Sequence, residues 1–137
     1  MIITIKGRFY KEKTFPSLND YINELGRSPY AGSEMKKKYM NIAISACRRD
    51  LKAWRTNKPV ILKYTFFEPK KGRRRDVMNV FALADKFVED ALVKLKVLPD
   101  DNPQYVINTE HEFYYTDDTP YFTVEIKEQE RFTNENK

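Results

Sequence analysis

Apolar and polar residues alternate over residues 2–9, a period of two that predicts a first strand. Pro16-Ser17 then opens a short helix over 18–25, with Ser17 placed as its N-cap and Gly26 placed to end it. Arg27 to Gly32 reads as a loop. After a cap at Ser33, a longer helix is predicted from Glu34 to Trp54: Met40, Ala43, Ile44, Cys47, Leu51 and Trp54 recur at helical spacing. Lys36, Lys37, Lys38, Arg48, Arg49 and Lys52 take its other face. Pro59 to Phe67 is rich in β-branched and aromatic residues and predicts a central strand. Pro69 to Arg75 forms a basic loop, and a second long helix, capped by Asp76, is predicted from Val77 to Lys96. Its buried stripe is Val77, Val80, Phe81, Ala84, Phe87, Val88, Ala91, Leu92 and Leu95. Pro99 to Pro103 is a turn, and residues 104–116 and 120–127 are two strands joined as a hairpin through Asp117-Asp-Thr-Pro120. The order is β-α-α-β-α-β-β. It implies an α/β fold with a small mixed sheet packed against helices, one domain over 1–128 and a polar tail over 129–137.

The 137 residues, 41% hydrophobic and 14% aromatic, suffice to fill one core. No apolar run is long enough to cross a bilayer, and the start reads as a strand rather than a signal peptide, so a cytoplasmic protein is expected. Cys47 and His111 are the sole residues of their kinds. An intrachain disulfide, a thiolate zinc cluster and a His-rich metal site are therefore excluded. Scattered glycines exclude a Gly-rich phosphate loop, and one Cys far from one His gives thin support for nucleophilic catalysis. His111 reads as a packed residue of an edge strand. Phe113, Tyr114, Tyr115, Tyr121 and Phe122 read as core and interface, with base stacking as the lesser alternative.

The net charge of +5 conceals a strong asymmetry. Residues 1–75 hold 19 Lys+Arg against 6 Asp+Glu, whereas residues 76–137 hold 6 against 14. A basic half of this kind suits a polyanion, binding through counterion release. The two halves meet where Lys70, Lys71, Arg73, Arg74 and Arg75 run directly into Asp76. Asp76 can serve as a plain helix cap, or it can help hold a divalent cation beside a phosphate gripped by the basic loop. Asp100 and Asp101 can be solvated turn acids or a second acidic point. They lie beyond a helix of about 30 Å, so one chain joins them to Asp76 only if the helix is bent or a partner subunit supplies the second acid. Asn79, Leu83, Lys86 and Asp90 share a helical face. Lys86 can stabilise developing charge or form an i,i+4 ion pair with Asp90.

Arg73-Arg-Arg-Asp-Val-Met-Asn79, then Lys86, Asp90-Ala-Leu92 and Asp100-Asp101, resemble the RusA-type Holliday junction resolvases, in the longer-helix form found in Gram-positive phages and prophages. Pro16-Ser-Leu-Asn19, Ser28-Pro-Tyr30 and the closing segment Tyr121–Glu128 fit the same pattern. The resemblance implies a homodimeric, Mg²⁺-dependent endonuclease (Mn²⁺ as a substitute) that nicks four-way DNA junctions in recombination and repair. It implies catalytic roles for Asp76, Lys86 and Asp101, metal binding by Asp76, Asp100 and Asp101, and DNA contacts from Lys70, Lys71, Arg73, Arg74, Arg75 and Asn79. No small-molecule cofactor and no membrane partner are implied. One position departs: the family's second aspartate is Met78 here, and a thioether is a poor ligand for Mg²⁺. Asp85 is the nearest acid along the helix that could compensate. A silent homologue that binds branched DNA without cutting it, and a protein-interaction module with a basic face, are the competing readings.

Overall fold

The protein is described from a computed structural model covering residues 1–7, 14–72 and 74–130. Among these residues the order is β1 (Ile2–Lys6), α1 (Leu18–Arg27), α2 (Pro29–Leu51), β2 (Val60–Pro69), α3 (Val77–Lys94), β3 (Val106–Thr116) and β4 (Tyr121–Glu128). The predicted order holds, and the sheet is mixed, with strand order β1-β4-β2-β3. β4 runs antiparallel to both β1 and β2, and β3 runs parallel to β2.

The expected hairpin is corrected. β3 and β4 are not neighbours, because β2 lies between them. Thr116 is in register with Pro69 and Tyr121 with Phe67, so residues 117–120 arch over the end of β2. Two strand spacings are about 9.6 Å, within reach of four extended residues. The turn chemistry of Asp117 to Pro120 encodes a reversal of direction but not which strand will be the partner.

The helix boundaries also shift. Gly26 does not end α1, and residues 27–32 are not a loop. Ser28 closes α1 through its N–H to the Glu24 carbonyl, and its hydroxyl accepts from the Ala31 N–H to start α2, with Pro29 at the first helical position. Ser33 and Glu34 therefore lie inside α2. Gly32 packs where the two helices meet, and a Cβ there would collide with the Leu25 side chain. At the other end α2 stops at Leu51 rather than Trp54, since Lys52 and Ala53 turn left-handed.

One face of the sheet is dry. Ile3, Ile5, Val60, Leu62, Tyr64, Phe66, Phe122, Val124 and Ile126 are buried beneath the helices. Phe15 joins the layers, its ring meeting Tyr39 of α2, Phe87 of α3 and Phe122 of β4 edge-on at centroid distances of 5.2, 6.1 and 5.3 Å. Alternate residues on the opposite face, such as Lys63, Thr65, Phe67, Tyr121 and Thr123, are only half-buried. No helix among the described residues is long and apolar enough to cross a membrane.

The outer edge of β1 is closed by side chains of α2. Thr4 N–H donates to Asp50 Oδ2 at 2.8 Å, and Arg49 donates both to the Thr4 carbonyl and to Asp50. This blocks the edge to further strand pairing. The hydrogen bond from Arg49, helped by Thr4 N–H, holds the Asp50 carboxyl below its ordinary range. A depressed acid stabilises the fold fully above the unfolded-state pKa, and that contribution is lost as pH falls through the folded one. Asp50→Ala should therefore cost about 1–3 kcal/mol at pH 7 in urea melts. The deficit relative to wild type should shrink as pH is lowered below about 4.

Candidate functional site

The chain leaves β2 through Pro69, and Lys70 N–H donates to the Thr116 carbonyl at 3.0 Å. Gly72, at φ +100°, makes the turn that an L side chain would strain. Lys70 and Lys71 are exposed, and Lys70 stands 3.7 Å from Asp117. Arg74 donates to the Pro69 and Lys70 carbonyls at 3.1 and 2.7 Å, and its guanidinium lies 4.0 Å above the Tyr115 ring. Arg73, also expected to touch DNA, lies outside the described residues. Arg75 has a different position from its neighbours. It forks onto Glu68 at 2.8 and 2.9 Å and donates to the Phe15 carbonyl at 2.7 Å, tying the basic loop to the core.

Asp76 is the N-cap of α3, its Oδ1 accepting from Met78 N–H at 2.9 Å and Asn79 N–H at 3.2 Å. The carboxylate is exposed, and its charge suits the positive end of the helix. Met78 is 56% exposed beside it. Of the expected helical row, Asn79 and Asp90 are half-buried and Lys86 is exposed, but Leu83 is fully buried and belongs to the core. Lys86 Nζ stands 3.7 Å from Asp90 Oδ2, the i,i+4 pair.

The acids gather elsewhere. After α3, Val97 and Leu98 fold back into the core, their N–H groups donating to the Leu92 carbonyl. This brings the turn at 99–103 against the last turns of the helix. Asp100 organises that turn, accepting from Asp101 N–H at 2.7 Å and Asn102 Nδ2 at 3.0 Å. Asp101 stays exposed, its carboxyl raised by partial burial, by a hydrogen bond with Asp100 and by the charges of Asp100 and Asp90. One helical turn away, burial, a hydrogen bond with Asp85 and the charges of Asp85, Asp101 and Asp90 push the Glu89 carboxyl up to about 9. Asp85 in turn accepts from the fully buried Tyr64 hydroxyl at 2.8 Å. Asp85, Glu89, Asp90, Asp100 and Asp101 thus form one cluster of acids, in which Glu89 keeps its proton at neutral pH.

Asp76 is not part of it. The turn carrying Asp101 folds back beside Glu89 and Asp90, which lie about 20 Å along a continuous helix from Asp76. Within one chain the expected set of Asp76, Asp100 and Asp101 does not assemble. Among the described residues, no group of three or more His, Cys, Asp or Glu side chains is arranged to hold a metal ion. Glu89 and Tyr64 were not foreseen. The i,i+4 spacing of Asp85 and Glu89 was the available signal, and only the tertiary contact reveals Tyr64.

The remaining reactive groups are quiet. Cys47 is buried, and that burial, then the Asp50 charge, push its thiol up to about 12, so it carries little thiolate at neutral pH. His111 is half-buried on β3, with its ring 4.7 Å from Phe81. No protein-family model matches the chain, and no curated protein matches it.

Glu89 offers a check on its burial among the acids. Its folded pKa lies above its unfolded one, so the folded state binds the extra proton and stability falls as pH rises between about 4.3 and the folded value near 9. Glu89→Gln should raise stability at pH 8 by on the order of 1–2 kcal/mol, discounted for the solvent around a half-buried group. Chemical denaturation at pH 8 and pH 4.5 checks this, with the gain expected at the higher pH alone.

Proposed function

We propose that the chain is a homodimeric, metal-dependent endonuclease of the RusA type acting on branched DNA. The observation that carries the reading is the separation of charge along α3. Lys70, Lys71 and Arg74 present cations where the helix begins, and Asp85, Glu89 and Asp90 line its second half, with Asp101 beside Glu89 and Asp90. Cations on a loop suit phosphates, whose contacts position a nucleic acid without reading its sequence. The acids begin about 14–21 Å along the helix from Asp76, and in the proposed dimer a backbone held by one protomer is cut at the acids of its partner.

The expected trio of Asp76, Asp100 and Asp101 does not fit a magnesium site within one chain. Asp85, Glu89, Asp90 and Asp101 offer the hard carboxylate oxygens that Mg²⁺ takes, but no three of them are arranged around an ion within one chain, so a metal there would draw its remaining donors from the DNA, from water or from the partner subunit. Such an ion, when bound, polarises a phosphodiester and stabilises the charge that develops on it. The chain's own groups supply the surroundings. Tyr64 orients Asp85 through its hydroxyl, Lys70 and Lys71 attract the strand, and Lys86 stands beside Asp90. A second reading, a homologue that binds branched DNA without cutting it, is favoured by Met78, which places a neutral thioether at the family's second aspartate.

A labelled four-way junction, incubated with and without Mg²⁺ or Mn²⁺ and run on native and denaturing gels, separates the two. Paired nicks that need metal and fall by roughly a hundredfold or more in Asp101→Asn and Asp85→Asn support the nuclease. Asp76→Asn keeps a competent helix cap, so nicking that vanishes in that variant assigns Asp76 to the chemistry rather than to folding. A shifted band never nicked in either metal supports the binding homologue. No shift at physiological salt sinks both. Lys70→Ala and Lys71→Ala should each weaken junction binding and reduce the salt slope by about one.

A further inference from the structure

On the sheet face away from the helices, three aromatic rings form a column across three strands. Phe67 of β2 is in register with both Tyr121 of β4 and Tyr114 of β3. Its ring lies 4.4 Å from that of Tyr121, with 12° between their planes, and 5.7 Å from that of Tyr114, with 24° between them. Stacking of this kind turns the ring faces along the sheet and leaves the end rings with one face each to offer. Tyr121 has β1 on its far side, where Lys6 is its register partner. Tyr114 has none, because β3 ends the sheet among the described residues. Tyr114 is 49% exposed, and its hydroxyl donates to Glu112 Oε2 at 2.6 Å, which holds the ring in place.

The cations stand at the same end of the sheet. Lys70 follows β2 directly, and Arg74 covers the neighbouring Tyr115, itself 55% exposed, from the other face of β3. We propose that Tyr114, backed by Phe67 and Tyr121, is a stacking platform for an unpaired base of a DNA strand whose phosphates run along Lys70 and Lys71. This rests on the DNA-binding reading above and adds that the substrate presents unpaired nucleotides at its branch. Charge selects the occupant. An apolar protein partner has little to bury on a face that also carries Lys63, Thr65, Thr123 and Glu125, whereas a nucleotide supplies a π-face for the tyrosine and a phosphate for the cations. Every base has such a face, so the platform tolerates any sequence.

Fluorescence anisotropy with labelled oligo-dT and with a blunt duplex tests it on the full chain. Tyr114→Ala should weaken oligo-dT binding about tenfold and leave duplex binding unchanged, while Tyr114→Phe keeps the affinity of the wild type. Circular dichroism melts confirm that both variants fold. Tyr114→Trp, read against the native Trp54, should lose emission on adding oligo-dT and keep it on adding duplex. Equal oligo-dT affinity in wild type and Tyr114→Ala, with both DNAs weakened by Lys70→Ala, overturns the platform and leaves the DNA-binding reading standing. Failure of the wild type to bind any DNA removes that reading and the platform with it. A dimer that dissociates in Tyr114→Ala at unchanged oligo-dT affinity identifies the face as a self-association surface and likewise overturns the proposal.

Discussion

Parallel pairing of β2 with β3 is the constraint from which the rest of the arrangement follows. Two parallel neighbours cannot be joined by a tight turn, because the chain must travel back along the sheet before the second strand starts. α3 makes that journey, and its apolar side is fixed over β2 and β3 through Phe81, whose ring meets Tyr64 at 5.2 Å and His111 at 4.7 Å. Whatever precedes α3 therefore lies at one end of the sheet and whatever follows it lies at the other. The basic loop and Asp76 are held at the end where β2 stops; Asp100 and Asp101 are held where β3 begins. No choice of side chains within one copy can bring these two groups together while that pairing stands.

Within each end, the geometry distinguishes residues occupied by the fold from residues left open. Arg75 is occupied: its fork onto Glu68 and its bond to the Phe15 carbonyl anchor the loop to the aromatic centre. Arg74 is partly occupied, since the same guanidinium that bonds two carbonyls also covers Tyr115. Lys70 keeps an exposed ammonium near Asp117, a pair worth little in water and readily exchanged for a phosphate. A run of basic residues that looks uniform in sequence is thus divided by its neighbours into anchor and contact.

The same division explains what the sequence made legible. Element order and type were readable because β2 carries a dense run of β-branched and aromatic residues and α3 a long apolar pattern of period 3.6. Asp76 as a helix cap was readable because capping is local chemistry. The junction of α1 and α2 was misread, since Gly26 and Gly32 looked like breakers. Gly32 serves close packing against Leu25, and Ser28-Pro29 carries the true boundary. The β3–β4 connection was misread because strand partners are set by burial of β2 on both edges, a long-range matter on which four turn residues are silent. The acid cluster was half visible: Asp85, Glu89 and Asp90 are plain in the sequence, but the hydroxyl of Tyr64 arrives through the packing of α3 on β2, and the return of Asp101 depends on Val97 and Leu98 folding into the core.

The two acidic regions also differ in whether the fold accounts for them. Asp76 satisfies two backbone N–H groups and sits at the favourable end of the helix dipole, so stability alone explains an acid there. Glu89, Asp90, Asp100 and Asp101 sit towards the opposite end, where carbonyls already concentrate negative charge and a cation is the stabilising choice. Burial first, then the neighbouring acids, move Glu89 up to about 9, a cost that stability alone would remove by a single change to glutamine. Departures from local rules that lower stability concentrate where function requires them. By that argument the acid the family resemblance marks first, Asp76, is the one the helix explains. The acids that call for a functional explanation are those at the far end of α3.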